Sequence, residues 1–304
     1  MKYLNKSSSN ESLISHQKEQ PILENHIFIR GRRFLNIEGS NYPFPDDTIE
    51  INRLKLEYCI SKYAWQENIF YSPLENELAN GGLQVLDVGC GCGCFLLDLA
   101  QEYKKATFIG VDIANMISKE KRPSNVGFIQ CNVLEGLPFP DNTFDFVFQS
   151  NMIAAFTERQ WPLIIDEIVR VTKPGGWIEL EEKYYPFEEC GPTTLELRTE
   201  VFEFTRSKGL NLAMAPNIHK FLESHDKLSK NICTGVTNMD LGRNTLGELA
   251  FKSFKEMHFA MRIPFLERFS DIEFEEYFNI IHQECEINQT NIKMFKYFVQ
   301  KNIE

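Results

Sequence analysis

The sequence predicts an α/β protein built on a parallel sheet with helices on both faces. Three observations carry this. The apolar run Val85-Leu86-Asp87-Val88 breaks into glycines at every second position, Gly89, Gly91 and Gly93. A second apolar run over residues 106–111 ends in Asp112, 25 positions after Asp87 (112 − 87). Short apolar strands then alternate with helices as far as residue 182, the pattern of buried strands joined by crossover helices.

In chain order, residues 1–20 are rich in Ser, Asn, Lys and Glu and carry no apolar run, so 1–25 is expected to be a disordered tail. Residues 26–45 read as a short extended segment with a turn at Glu38-Gly39-Ser40. Asp47 and Glu50 have near capping-box spacing ahead of a helix that puts Ile51, Leu54, Tyr58 and Trp65 on one face. Residues 85–88 form the first sheet strand. A helix over 94–105 follows, its free N–H groups aimed back at the glycine turn. Strands follow at 106–111, 126–131 and 144–149, with a turn-rich loop at 132–142. Thr157 and Gln160 have capping-box spacing and Pro162 suits a first turn, which sets a helix over 157–171. Lys173-Pro174-Gly175-Gly176 ends it, and 177–182 is the fifth strand. Beyond lie helices over 193–208, 217–225, 246–262 and 270–285, the last opened by a Ser270/Glu273 capping box. Residues 231–241 and 293–300 are the candidate sixth and seventh strands.

The glycine turn bears on chemistry. Glycines are needed where φ is positive or where backbone must touch a ligand. A nicotinamide fingerprint would place its third glycine at position 94, which is Cys here, so the spacing is GxGxG. An acid at position 112, at the end of the second strand, can accept both ribose hydroxyls of an adenosine ligand.

Four segments together, VLDVGCGCG, IGVDIA, LPFPDNTFDFVFQS and RVTKPGGWIELEE, resemble the class I S-adenosylmethionine-dependent methyltransferases over roughly residues 80–182. Gly31-Arg32-Arg33-Phe34, Asn41-Tyr42-Pro43-Phe44-Pro45-Asp46-Asp47 and Glu50 to Leu54 are similar to the front end of fungal methyltransferases related to the velvet-complex regulators of secondary metabolism. The resemblance implies a Rossmann-like sheet of seven strands, mostly parallel, the seventh antiparallel beside the fifth. It implies S-adenosyl-L-methionine as cofactor. Gly89, Cys90, Gly91 and Gly93 would lie along its methionine and ribose, and Asp87 would orient the turn. Asp112 would hold the ribose, and Ile113 and Val133 would lie in the cofactor site, Ile113 against adenine. Asn132 stands where the family usually has Asp, and a neutral acceptor there is weaker by about 1 kcal/mol. Gln149 would face the transferred methyl. The helix after Asp47 would form a lid, so that 26–75 is a lid extension, 76–304 the methyltransferase domain, and 183–304 its variable substrate side. Arg33 or Tyr42 would reach the methionine carboxylate. Glu181, Glu182, Tyr184, Tyr185 and His219 are candidate bases, none selected by spacing.

Composition narrows the partners. The formal charge is 32 minus 43, or −11, with no basic run to track phosphates, and nucleic acid is therefore not expected as substrate. Position 149 opens Gln-Ser-Asn-Met instead of the Asn/Asp-Pro-Pro-aromatic motif of enzymes that methylate exocyclic base nitrogens. No run approaches the ~18 apolar residues of a membrane span and no export signal is seen, so the cytosol or nucleus is expected, with all eight cysteines reduced. Cys90, Cys92 and Cys94 read as small residues of a tight turn rather than a metal site, since no second ligand pair completes a tetrahedral set; a redox-sensitive pocket is the other reading. The six histidines are scattered without metal-ligand spacing, and the 25 phenylalanines are mainly core, with some available to line a pocket for an apolar acceptor. No repeat or heptad argues for assembly. The expected acceptor is a small molecule or a protein. The alternative is a cofactor-binding regulator that works through partners.

Overall fold

The computed structural model describes residues 26–37, 42–117, 122–187, 189–261 and 264–303. The expected tail, the turn at Glu38-Gly39-Ser40 and the Arg262 end of a helix lie outside the described residues. A hairpin opens the fold: β1 (His26–Ile29) pairs antiparallel with β2 (Arg32–Leu35). Its two-residue turn, Arg30 and Gly31, has φ of 49° and 74°, the left-handed pair that a tight hairpin requires. A single extended segment was expected there.

Helix α1 (Thr48–Ala64) begins where Asp47 accepts the Glu50 N–H at 3.0 Å. After α2 (Glu75–Asn80), the units run β3 (Gln84–Val88), α3 (Cys94–Glu102), β4 (Thr107–Asp112), β5 (Val126–Gln130), β6 (Phe144–Ser150), α4 (Trp161–Val171) and β7 (Thr172–Tyr184). The remainder is α5 (Pro192–Ser207), α6 (His219–Ser224), β8 (Cys233–Asp240), α7 (Asn244–Ala260), α8 (Pro264–Glu267), α9 (Asp271–Asn288) and β9 (Asn291–Gln300). The seven-stranded sheet has the order β5-β4-β3-β6-β7-β9-β8. Strands β3 to β7 are parallel, and β9 lies antiparallel between β7 and β8, so the Rossmann-like fold class and the inserted last strand are as expected.

Side-chain alternation divides the core between the two sheet faces. On one face Leu86, Val88, Val147 and Ile178 meet Trp161, Ile164 and Ile168 of α4. On the other Val85, Phe108, Phe146 and Phe148 meet Phe95, Leu96 and Leu99 of α3. Each such fully buried side chain contributes roughly 1.5–3 kcal/mol against exposure. Glu179 is fully buried on β7, where its carboxylate accepts from Tyr71 N–H, Ser72 N–H and Ser72 Oγ at 2.8–3.0 Å; this pins the segment after α1 to the sheet.

Two boundaries differ from expectation. The Gln160 side chain accepts from Thr157 N–H and Oγ at 2.8 and 3.0 Å, closing a turn before α4 instead of its first turn. Lys173-Pro174-Gly175-Gly176 lies inside β7, where the Gly175 N–H donates to Lys301 O at 2.9 Å and holds the chain end to the sheet.

Candidate cofactor and acceptor site

The turn after β3 is shaped by its glycines. Gly89, Gly91 and Gly93 have φ of 73°, 51° and 75°. A Cβ on Gly89 would lie 2.3 Å from Met152 Sδ, and one on Gly93 would lie 2.6 Å from Ile117 Cδ1, so a side chain at either would displace those side-chain ends, and the positive φ at both favours glycine. The Gly89 and Cys90 N–H groups donate to Val111 O at 2.8 and 3.0 Å, locking the turn onto β4. Asp112 then accepts the Gly91 N–H and the Ala114 N–H, each at 2.8 Å. Burial pushes the Asp112 carboxyl up to about 6, against the pull of these N–H groups. Asp87, buried just before the turn, is pushed well above the carboxylate range by burial and by the Asp112 charge.

These residues form one end of a cavity of about 1930 Å³, open mouth included. Asp87, Gly89, Gly91, Asp112, Ile113 and Asn132 line that end, with Cys90 and Val133 beside them. Asn132 Oδ1 accepts the Leu134 N–H at 3.1 Å and its Nδ2 donates to Glu135 Oε1 at 3.1 Å, so its side chain caps the 3-10 turn Val133–Glu135.

The other end is a chamber walled by Tyr185, Phe187, Phe202, Phe254, Met257 and His258. Helix α1 lines both ends through Arg53, Leu54, Glu57 and Tyr58, with Trp65 just past its end. It is latched on two sides. Tyr58 OH and Lys62 Nζ donate to Asp98 of α3 at 2.7 and 2.8 Å. Glu57 pairs with Lys183 of β7 and accepts from Ser253 Oγ of α7. Arg53 grips Glu50 with three contacts of 2.6–3.1 Å and lies 5.5 Å from the Phe44 ring centre.

His258 has a defined state. Its Nδ1 is 2.7 Å from Phe254 O, which only accepts, so Nδ1 carries the proton and Nε2 keeps its lone pair. Burial, aided by the Arg53 charge, pulls its pKa down to about 4, and the ring is neutral at physiological pH.

Several expected residues fall elsewhere. Gly93 does not line the cavity; it starts α3 and gives room to Ile117. Gln149 does not face it either, because its strand neighbours Phe148 and Ser150 do and alternation turns Gln149 to the opposite face. There it is fully buried, without a hydrogen-bond partner for either amide atom. Arg33 is held by Asp46, with Nε to Oδ1 at 2.9 Å, outside the cavity; Arg53 and Arg198 bring guanidinium groups to the wall, and Tyr42 does reach it. Among the candidate bases, Tyr185 and Glu181 line the cavity, Glu181 with Lys296 Nζ at 3.5 Å. Tyr184 and His219 do not, and Glu182 is spent on the loop after β6, accepting Met152 N–H and Ile153 N–H at 2.8 and 3.0 Å. Sequence reasoning missed Arg53, Glu57 and His258. The Phe251, Phe254, Met257, His258 and Met261 spacing of α7 was the available signal.

A methyltransferase-domain family model matches residues 85–176, the span from β3 into β7 that carries the glycine turn, Asp112 and Asn132. Over that span the chain carries a methyltransferase domain. Several of the curated proteins it is similar to are fungal. It is 26% identical over 160 residues to methyltransferase pytC of Aspergillus terreus, covering 53% of this chain and 47% of that one. It is 34% identical over 119 residues to the probable methyltransferase ltbC of Aspergillus luteorubrus, covering 34% and 42%. It is 27% identical over 173 residues to the secondary metabolism regulator laeA of Coprinopsis cinerea, covering 56% and 42%. The methyltransferase thus spans about half the length of the curated relatives it matches. Among solved structures, an S-adenosylmethionine-dependent methyltransferase from Archaeoglobus fulgidus aligns with TM-score 0.49 and 15% identity, covering 84% of this chain and 100% of that one. No described helix of the methyltransferase is long and apolar enough to cross a membrane.

Proposed function

We propose that the chain transfers a methyl group from S-adenosylmethionine to a small, largely apolar acceptor held in the chamber beside α7. The supporting observation is a single cavity that joins the glycine turn and Asp112 to walls of Phe187, Phe254 and Met257. The cofactor fits the first end. Asp87 and Asp112 are buried acids that a sulfonium or ammonium group would compensate, and the left-handed backbone of Gly89 and Gly91 lines the same end. In this reading Asp112 accepts the ribose hydroxyls, Ile113 and Val133 cover adenine, Asn132 accepts the adenine amino group with its second lone pair, and α1 is the lid.

When bound, S-adenosylmethionine supplies a methyl already activated on sulfur, so alignment provides much of the acceleration. The chain's part is to orient the acceptor and exclude water. Phe254 and Met257 remove water from the apolar body of the acceptor, while His258 Nε2 takes the hydrogen bond of its O–H or N–H and turns the attacking lone pair. A neutral histidine with a fixed tautomer is an acceptor throughout the physiological range. The use of the Asn132 oxygen as a turn cap favours a second reading, in which cofactor is held weakly and the chain acts through a partner.

Incubation with methyl-labelled S-adenosylmethionine and a small-metabolite extract tests this. Label should appear in a solvent-extractable product, and His258→Ala should lower the rate by about 100-fold with the affinity for S-adenosylhomocysteine within about twofold. Label found only on protein would contradict the small-molecule acceptor. Weak cofactor binding with no labelled product would favour the partner reading.

A further inference from the structure

The glycine turn carries three cysteines, of which the cofactor reading leaves Cys92 and Cys94 without a task. Cys90 is turned inward: a Cβ on Gly110 would lie 2.6 Å from its Sγ. Cys92 and Cys94 face each other instead, with Sγ atoms 3.4 Å apart, and both lie on the cavity wall. Gly93, with φ of 75°, is the left-handed residue between them that brings two side chains two positions apart to one side of the turn. Cys92 is buried and Cys94 half-buried at the first residue of α3.

The two thiols are not equivalent. The hydrogen bond with Cys94 holds the Cys92 thiol below its usual range, and the charge of Lys55 adds to this. The same bond, with burial, pushes the Cys94 thiol up. Thiolate character marks the attacking sulfur, and a protonated neighbour in contact is placed to resolve. Closing the pair asks the sulfurs to move from 3.4 Å to about 2.05 Å, within reach of side-chain rotation around a glycine.

We propose that Cys92 and Cys94 are an oxidative modification site that hydrogen peroxide converts to an intramolecular disulfide, weakening cofactor binding. The Cys92 thiolate attacks a peroxide oxygen, the O–O bond breaks, and Cys92 becomes a sulfenic acid while the departing hydroxide takes a proton to form water. The Cys94 sulfur then attacks the Cys92 sulfur, and its proton leaves with the sulfenic hydroxyl as a second water. Two thiols lose two electrons, and one peroxide becomes two waters. The new ring draws Cys92 toward Cys94 and displaces the turn whose Gly91 N–H Asp112 accepts at 2.8 Å. The effect on binding rests on the reading of this turn as the cofactor site; the thiol chemistry does not.

The test uses the full chain, reduced, exposed to hydrogen peroxide and quenched with catalase. Peptide mass mapping reads the thiols, and titration with S-adenosylhomocysteine reads the site before oxidation, after it and after dithiothreitol. The expected result is a Cys92–Cys94 disulfide, an affinity about tenfold or more weaker, and recovery on reduction. Cys94→Ser should stop at a sulfenic acid on Cys92 that dimedone traps, and Cys92→Ser should give neither product. Each variant is compared with its own reduced form. Oxidation confined to the exposed Cys59 and Cys233, or a Cys92–Cys94 disulfide with unchanged affinity, would overturn the proposal. Failure of the reduced protein to bind S-adenosylhomocysteine would instead count against the cofactor reading, and mass mapping would still decide the thiol chemistry.

Discussion

Asp112 joins the fold to the site, because the same carboxylate that accepts two backbone N–H groups faces the cavity. Its folded-state value of about 6 lies above the ordinary 3.8, so between these values the folded protein binds more protons than the unfolded chain. This group therefore makes the cofactor-free protein more stable as pH falls from about 6 toward about 4. In the proposed reading cofactor binding runs the other way, since the ribose hydroxyls would donate to the ionised form. Titration with S-adenosylhomocysteine at pH 7.5 and pH 5 should show weaker binding at pH 5, and equal affinities would remove Asp112 from the ribose contact. Asp112 was legible in the sequence because an acid at a strand end, a fixed distance after a glycine turn, has one geometry. Gln149 was not: whether a residue at the end of β6 points into the cavity or the core depends on strand phase, which Phe148 and Ser150 settle only in three dimensions. His258 was missed for a related reason, since a helix face meets the cavity by packing and not by its own pattern.

At the level of elements, α1 closes the cavity and is held by its start as much as by its latches. Asp47 caps the helix and also binds Arg32 of β2 with Nε to Oδ2 at 2.5 Å and Nη2 to Oδ1 at 2.9 Å. Asp47→Ala should lower stability by about 2 kcal/mol, combining a lost cap with an unpaired, nearly buried guanidinium; thermal or urea unfolding checks this. A change below about 0.5 kcal/mol would show that β2 and α1 are coupled by other contacts. The β3–α3 and β4 units were readable because a buried parallel strand is a short apolar run with punctuation at both ends. The β1–β2 hairpin was not, because Arg30-Gly31 lacks the usual Asn or Asp turn signal and Ile27 and Phe28 are both exposed, which hides the alternation. The start of α4 was misplaced because the Thr157–Gln160 spacing serves a turn as well as a helix.

For the whole molecule, the strand order β5-β4-β3-β6-β7-β9-β8 brings the ends of β3 and β4 beside the loop after β6, and the cavity lies at that edge. The alternation of strands and helices made the parallel core readable, and the late apolar run marked β9 as a strand, while its insertion beside β7 came from the family resemblance. The acceptor chamber was not readable, because it is assembled from α1, the residues after β7, and α5 and α7, which are far apart in sequence. A net charge of −11 and an apolar chamber argue together for a neutral or cationic small acceptor over a polyanion. The most direct test of this account is calorimetric titration of the reduced full chain with S-adenosylhomocysteine, with NAD in parallel and Asp112→Ala as control. One-site binding that weakens by about 10- to 100-fold in the variant, with no NAD binding, is the predicted result. Binding of NAD, or an S-adenosylhomocysteine affinity untouched by Asp112→Ala, would contradict it.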